Sequence, residues 1–172
     1  MNAKQRKTNR LLAITPSTRG FGFVVMDEAL VDWGIKAVKK DKNSQSMAKI
    51  EKLVDQYDPM VIVLPRADAK EDRRVPRIQK LVRQISAYAG TRKTKVILLS
   101  RRQVREAFFE DGKGTKYTIA TILAKRFPEE LGFRMPRKRR AWMNEDPNMD
   151  IFDAVALALT IRMRQPRIHR TA

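Results

Sequence analysis

Leu11-Leu12-Ala13-Ile14-Thr15-Pro16-Ser17-Thr18-Arg19-Gly20-Phe21-Gly22-Phe23-Val24-Val25-Met26 is the stretch that decides the fold of this 172-residue chain. Leu11 to Ile14 is a short apolar run of the buried-strand kind. Pro16 to Gly20 is turn chemistry, and Phe21 to Met26 is a second run suited to a strand. Asp27-Glu28 punctuates. Leu30 to Val38 then reads as a third strand, with Trp33, Ile35 and Ala37 on one face and Asp32, Gly34 and Lys36 on the other. Three consecutive strands joined by short turns predict an antiparallel meander.

Downstream the apolar period changes from two to that of a helix. Ser44 or Ser46 is placed to cap a helix in which Met47, Ile50, Leu53, Val54 and Tyr57 recur, and Asp58-Pro59 stops it. Met60 to Leu64 is apolar throughout, as in a strand buried on both faces. A second helix carries Ile78, Leu81, Val82, Ile85 and Tyr88 and closes at Gly90. Val96 to Leu99 repeats the buried-strand signature, and Ser100 is positioned to cap a short helix holding Val104, Ala107 and Phe108. Thr115 caps a helix from about Tyr117 to Phe127, which Pro128 stops. Phe133 to Asn148 reads as an irregular basic loop. A last helix starts near Pro147 to Met149 and runs to about Met163, with Ile151, Val155, Leu159 and Met163 on one stripe. The order β-β-β-α-β-α-β followed by helices predicts an α/β fold. Its mixed five-stranded sheet has three antiparallel strands, then parallel βα units, and is flanked by helices. Residues 1–10 read as a basic N-terminal arm, 11–164 as the domain, and 165–172 as a basic C-terminal tail.

Composition narrows the chemistry. The chain has no Cys, which excludes disulfide scaffolds, zinc ribbons and thiol nucleophiles. His169, in the basic tail, is the single histidine, which argues against a Ser-His-Asp triad or a His-rich metal site. Carboxylates are left as metal ligands, and these suit Mg²⁺ or Mn²⁺. A net charge of +18 and a pI near 10.7 call for a polyanionic partner. No apolar run approaches the roughly 18 residues of a membrane span, and the N-terminus lacks a secretory apolar stretch. Nucleic acid is the expected partner, in an intracellular setting, cytoplasmic or nucleoid-associated.

Asp150-Ile151-Phe152-Asp153-Ala154-Val155-Ala156-Leu157-Ala158-Leu159 is the segment richest in chemistry. Asp150 and Asp153 lie three apart in the first turn of a helix, so both carboxylates face one way. Either they share a cation that relieves their repulsion, or they complement the positive end of the helix. Glu145 and Asp146 lie just upstream and add to the acidic cluster.

Basic segments surround these acids. Met135-Pro136-Arg137-Lys138-Arg139-Arg140-Ala141-Trp142 joins a charge run to an aromatic. Arginine contacts to phosphate and Trp142 stacking on a base are one reading; a solvated loop with Trp142 tucked into the core is the other. Arg66, Lys70, Arg73, Arg74 and Arg77 form a second cluster after the fourth strand. Gly112-Lys113-Gly114-Thr115-Lys116 lacks P-loop spacing and is read as a basic turn, with Lys113 and Lys116 able to touch a phosphate backbone.

The element order and the two end motifs resemble the RNase H-like superfamily, in its branch of RuvC-type Holliday-junction resolvases. The first motif is Leu12 to Gly22, a strand, a small-residue turn and a second strand. The second is the acidic helix motif Asp150 to Ala158. The resemblance implies a Mg²⁺- or Mn²⁺-dependent endonuclease site in which Asp150 and Asp153 are catalytic and metal-binding. A twofold homodimer is also expected, since a four-way junction presents two symmetric sites. Two family acids are missing. Thr15 stands where active members carry a bridging Asp, and Leu64-Pro65-Arg66 stands where they carry a Glu. A neutral hydroxyl does not balance two divalent cations as a carboxylate does.

Three functions follow as expectations. The first is a RuvC/RNase H-like protein that binds branched or structured DNA, with nuclease activity reduced or lost. The second is an active endonuclease whose site is rebuilt from Asp150, Asp153 and a displaced acid such as Asp146, Asp68 or Asp27, with Glu71 and Asp72 near Asp68 in the same loop. The third is a basic scaffold in a nucleoprotein assembly.

Overall fold

The computed structural model describes residues 9–66 and 76–164. The meander forms as β1 (Leu11–Ser17), β2 (Gly20–Met26) and β3 (Leu30–Ala37), followed by β4 (Val61–Pro65) and β5 (Lys95–Leu99). One sheet holds all five in the order β3-β2-β1-β4-β5. β1–β2 and β2–β3 pair antiparallel, and β1–β4 and β4–β5 pair parallel. The carboxyl ends of β1, β4 and β5 therefore lie along the same edge, where open α/β sheets place their ligands.

Alternation along β1 sorts the molecule into two layers. Leu12 and Ile14 face a core shared with α1 (Lys42–Tyr57) and α2 (Pro76–Thr91). Leu11 and Ala13 face the other core, built on α4 (Lys116–Arg126) and α6 (Met149–Arg164), with α3 (Arg101–Phe108) against its rim. Thr15 continues the second series, so the pleat alone directs it toward α6. From Met149 to Ile161 every residue of α6 is buried except Asp150 and Asp153. Such a helix belongs in the middle of the structure, and its alanines let it approach the sheet closely.

That approach requires glycine at position 22. Thr15 pairs with Gly22 across β1–β2. A Cβ on Gly22 would lie 2.4 Å from the Asp150 carbonyl oxygen and 2.7 Å from the Asp150 Cβ. The first turn of α6 is thus seated directly on the β1–β2 pair.

Some boundaries differ from the sequence expectation. α1 begins at Lys42 rather than after Ser44 or Ser46, with left-handed Asp41 ahead of it (φ 42°), and Ser46 is fully buried inside it. Tertiary contacts explain the early start: Lys42 Nζ donates to the Thr18 carbonyl at 2.6 Å and Asn43 Nδ2 to that of Arg77 at 3.1 Å. Pro128 stops α4 and also occupies the first position of a short helix, α5 (Pro128–Leu131), where its missing N–H costs nothing. A 3₁₀ turn, Gly132–Arg134, takes up the start of the predicted loop. Ser100 and Thr115 cap as expected, each in a reciprocal capping box, with Gln103 and Thr118.

Residues 1–8 and 165–172, which include most of the predicted arm and the whole predicted tail with His169, lie outside the described residues. Arg10, counted with the arm, is packed instead. Its guanidinium lies 5.8 Å from the Tyr57 ring centroid, donates to the Tyr57 carbonyl at 3.3 Å, and sits 3.9 Å from Asp27. Among the described residues no helix is long and apolar enough to cross a membrane.

Candidate functional site

The first turn of α6 and the carboxyl ends of β1, β4 and β5 enclose a cleft of about 730 Å³. Thr15, Arg66, Lys116, Glu145, Asp150 and Asp153 line it. The Thr15 hydroxyl is buried and donates to the Asp150 main-chain carbonyl at 2.7 Å. It therefore fastens β1 to the start of α6 rather than pointing a ligand into the cleft. Ser17, two residues on and on the same face of β1, brings a hydroxyl near the Asp150 carboxylate that favours its charged form.

Burial pushes the Asp150 carboxyl up to about 6, with Asp153 and Glu145 adding repulsion while Ser17 and Lys116 oppose the shift. Burial raises Asp153 as well, against the nearby Lys116 ammonium. Glu145, Asp150 and Asp153 each place a carboxylate oxygen within 4.8 Å of the others. Lys116 stands among them: Nζ lies 3.1 Å from Asp153 Oδ2 and 3.2 Å from Glu145 Oε1. Thr115, the cap of α4, fixes where that lysine enters.

This donor set suits one divalent cation. Three carboxylates can hold a single Mg²⁺ or Mn²⁺ alongside water and phosphate oxygens. Two ions would need a further bridging acid, and Thr15 and Pro65-Arg66 supply none at the ends of β1 and β4. A single cation would also have to displace the Lys116 ammonium from the same oxygens.

Of the acids considered as replacements, Asp146 adjoins the cluster but is committed elsewhere. Its carboxylate accepts the Asn148 N–H at 2.9 Å and the Arg137 N–H at 3.3 Å, closing the loop ahead of α6. Its neighbour Glu145 provides the third carboxylate. Asp27 follows β2 at the opposite end of the sheet, since Met26 pairs with Leu11, and accepts the Ala29 N–H at 3.1 Å. Asp68, Glu71 and Asp72, together with Lys70, Arg73 and Arg74, lie outside the described residues.

The predicted basic residues separate into distinct roles. Arg66 is exposed at the mouth, just past β4. Arg77 is half-buried and braces the end of β1, donating to the Ser17 carbonyl and to Asn43 Oδ1, each at 3.1 Å. Lys113 is exposed in the α3–α4 turn, whereas Lys116 joins the acids. Arg137, Lys138, Arg139 and Arg140 are all exposed. Trp142 is 77 % exposed, which overturns its alternative reading as a core residue. Arg19, Arg101 and Arg105 also line the cleft and were not singled out from the sequence. Their signal was positional: Arg19 follows β1 and Arg101 follows β5, the strands on either side of β4, so both come from the carboxyl-end edge of the parallel part of the sheet.

A sheet of this order, with an acidic helix crossing its first strand, is the RNase H-like fold of the RuvC type. No protein-family model matches the chain, and no curated protein does. Among solved structures it is similar to Thermus thermophilus RuvC, with a TM-score of 0.67 at 14 % identity over 90 % of this chain and 93 % of that one. The T. thermophilus RuvC complex with Holliday junction substrate gives 0.65 at 15 % identity over the same shares. The yeast mitochondrial Holliday junction resolvase Ydc2 gives 0.63 at 16 % identity over 91 % of this chain and 78 % of that one. At these identities the likeness establishes the fold.

Proposed function

We propose that this protein binds nucleic acid, branched or structured DNA in particular, through a RuvC-type cleft in which metal-dependent cleavage is reduced or lost. The observation that carries the reading is the exchange of charge in the cleft. Where a bridging carboxylate would be needed, Thr15 donates to the Asp150 carbonyl. Where a cation would sit, the Lys116 ammonium contacts Glu145 and Asp153. Lys116 acts as an internal counter-cation, so the carboxylates keep the fold's charge balance without an ion. Arg19, Arg66, Arg101 and Arg105 around the same cleft supply cationic contacts for phosphate. The +18 net charge supplies long-range attraction to a polyanion.

The nearness of Glu145 to Asp150 and Asp153 favours a second reading, a one-cation endonuclease. Bound there, Mg²⁺ or Mn²⁺ would supply Lewis-acid stabilisation of a phosphate under attack. A cleavage and binding assay on labelled four-way junction and duplex DNA separates the two, run with Mg²⁺ and Mn²⁺ beside an Asp150→Asn/Asp153→Asn variant. Junction binding without nicking, equal in both proteins, is the expected result. Metal-dependent nicking lost in the variant would overturn it in favour of the enzyme. Tight RNA binding with no preference for branched DNA would instead favour a scaffold in a nucleoprotein assembly. A twofold dimer is part of the proposal, and sedimentation of the free protein tests it.

A further inference from the structure

We propose that the loop ahead of α6 is a stacking platform for unpaired nucleobases, with Trp142 as its surface; this rests on the nucleic-acid reading above and adds the strand state that the protein selects. An indole is among the most costly side chains to leave in water, yet Trp142 is 77 % exposed. It sits on a loop fastened by its own hydrogen bonds. The Met143 N–H donates to the Arg140 carbonyl at 2.9 Å and Arg139 Nε to the Met143 carbonyl at 2.7 Å. At the foot of the loop the Arg137 N–H reaches Asp146 Oδ2, and Arg19 Nη2 donates to the Glu145 carbonyl at 2.8 Å, tying the loop to the β1–β2 turn. These bonds bracket Trp142 in the chain, so the loop that carries the ring is formed in advance and a ligand does not have to order it.

The surroundings state which ligand fits. Arg140 lies over the indole, 5.6 Å from its centroid. Arg137, Lys138, Arg139 and Arg140 are exposed, and no acidic residue occurs from Arg137 to Met143. Phe133, at the beginning of the same connection, repeats the arrangement: it is 76 % exposed, with the Arg134 guanidinium 5.6 Å from its centroid. An apolar peptide would leave this charge unanswered. A strand with phosphates on one side and flat π-faces on the other answers both features. In a duplex those faces are already stacked on one another, whereas unpaired bases have them free.

The test uses the full chain with Trp33→Phe, which leaves Trp142 as the sole tryptophan. Short oligo-dT, oligo-rU and a blunt duplex of equal length are titrated against Trp142 fluorescence across a range of salt. Single strands are expected to quench the emission. Binding by Trp142→Ala and Trp142→Phe, which carry no tryptophan in this background, is read together with the parent's from the anisotropy of end-labelled oligonucleotides: Trp142→Ala is expected to weaken single-strand binding roughly tenfold, with little effect on duplex and no change in the salt dependence, while Trp142→Phe retains most of the affinity. Quenching by only one of the two single strands would support the platform and assign its sugar preference. If Trp142→Ala binds single strands as tightly as the parent, or loses single strand and duplex equally, the platform is overturned and the nucleic-acid reading stands. If the parent binds none of the three at low salt, that reading falls with it.

Discussion

Replacing Lys116 with Met removes the ammonium from among three carboxylates while keeping much of the side chain's apolar volume. The two contacts are close, at 3.1 and 3.2 Å, but Lys116 and Glu145 are each 34 % exposed and Asp153 27 %. Solvent therefore screens most of the Coulomb attraction, and the loss falls well short of that for a fully buried pair, at about 1–2 kcal/mol. For a chain of this length that lowers Tm by about 2–8 °C. The pH dependence carries more information than the size. Asp150 and Asp153 are already raised by burial, Asp150 to about 6, and losing the lysine raises both further. A carboxyl raised in the folded state costs nothing below its unfolded value and destabilises as pH climbs through the folded one. The deficit of Lys116→Met should thus be largest near about pH 8 and vanish near about pH 4. Thermal melts of both proteins across that range measure it, with and without millimolar Mg²⁺. The ion should restore stability to the variant, whose carboxylates lack their counter-charge, and leave the parent little changed. Equal stability of the two proteins at alkaline pH, or a deficit of the same size at both ends, would refute the counter-cation argument.

Gly22→Ala places a methyl group 2.4 Å from the Asp150 carbonyl oxygen, against main chain on a packed helix. A destabilisation of about 1–3 kcal/mol is expected from urea unfolding. Asp150→Asn removes a carboxyl whose value is raised to about 6. The variant should be the more stable protein above about pH 7, by at most about 3 kcal/mol, with the gain fading as pH falls toward 4. Neutral replacement of Arg137, Lys138, Arg139 and Arg140 together should flatten the salt dependence of duplex binding by roughly 0.9 log units for each phosphate that the variant no longer neutralises. An unchanged slope would assign those side chains to solvent.

Much of the fold is written in local pattern. Runs such as Met60 to Leu64 and the 3.6-residue stripe of Ile78, Leu81, Val82 and Ile85 need no partner to be recognised, because a buried strand and an amphipathic helix each carry their own period. Ser100 and Thr115 act within three residues of themselves, and both cap where the sequence places them. The pairing of Asp150 with Asp153 is equally local, being one turn of a helix. Glu145, Lys116, Ser17 and Thr15 are different. Lys116 and Asp153 come from separate helices, and Thr15 meets Asp150 across 135 residues of chain. Only the docking of α6 on β1 and β2, made possible by the missing side chain at Gly22, brings them together. Sequence alone thus determined the element order, the basic charge and the absence of two expected acids. Tertiary structure decided that Glu145 rather than Asp146 turns inward, that a lysine stands among the carboxylates, and that Trp142 faces solvent. Which side chains meet depends on how elements far apart in the chain pack, and no local pattern encodes that.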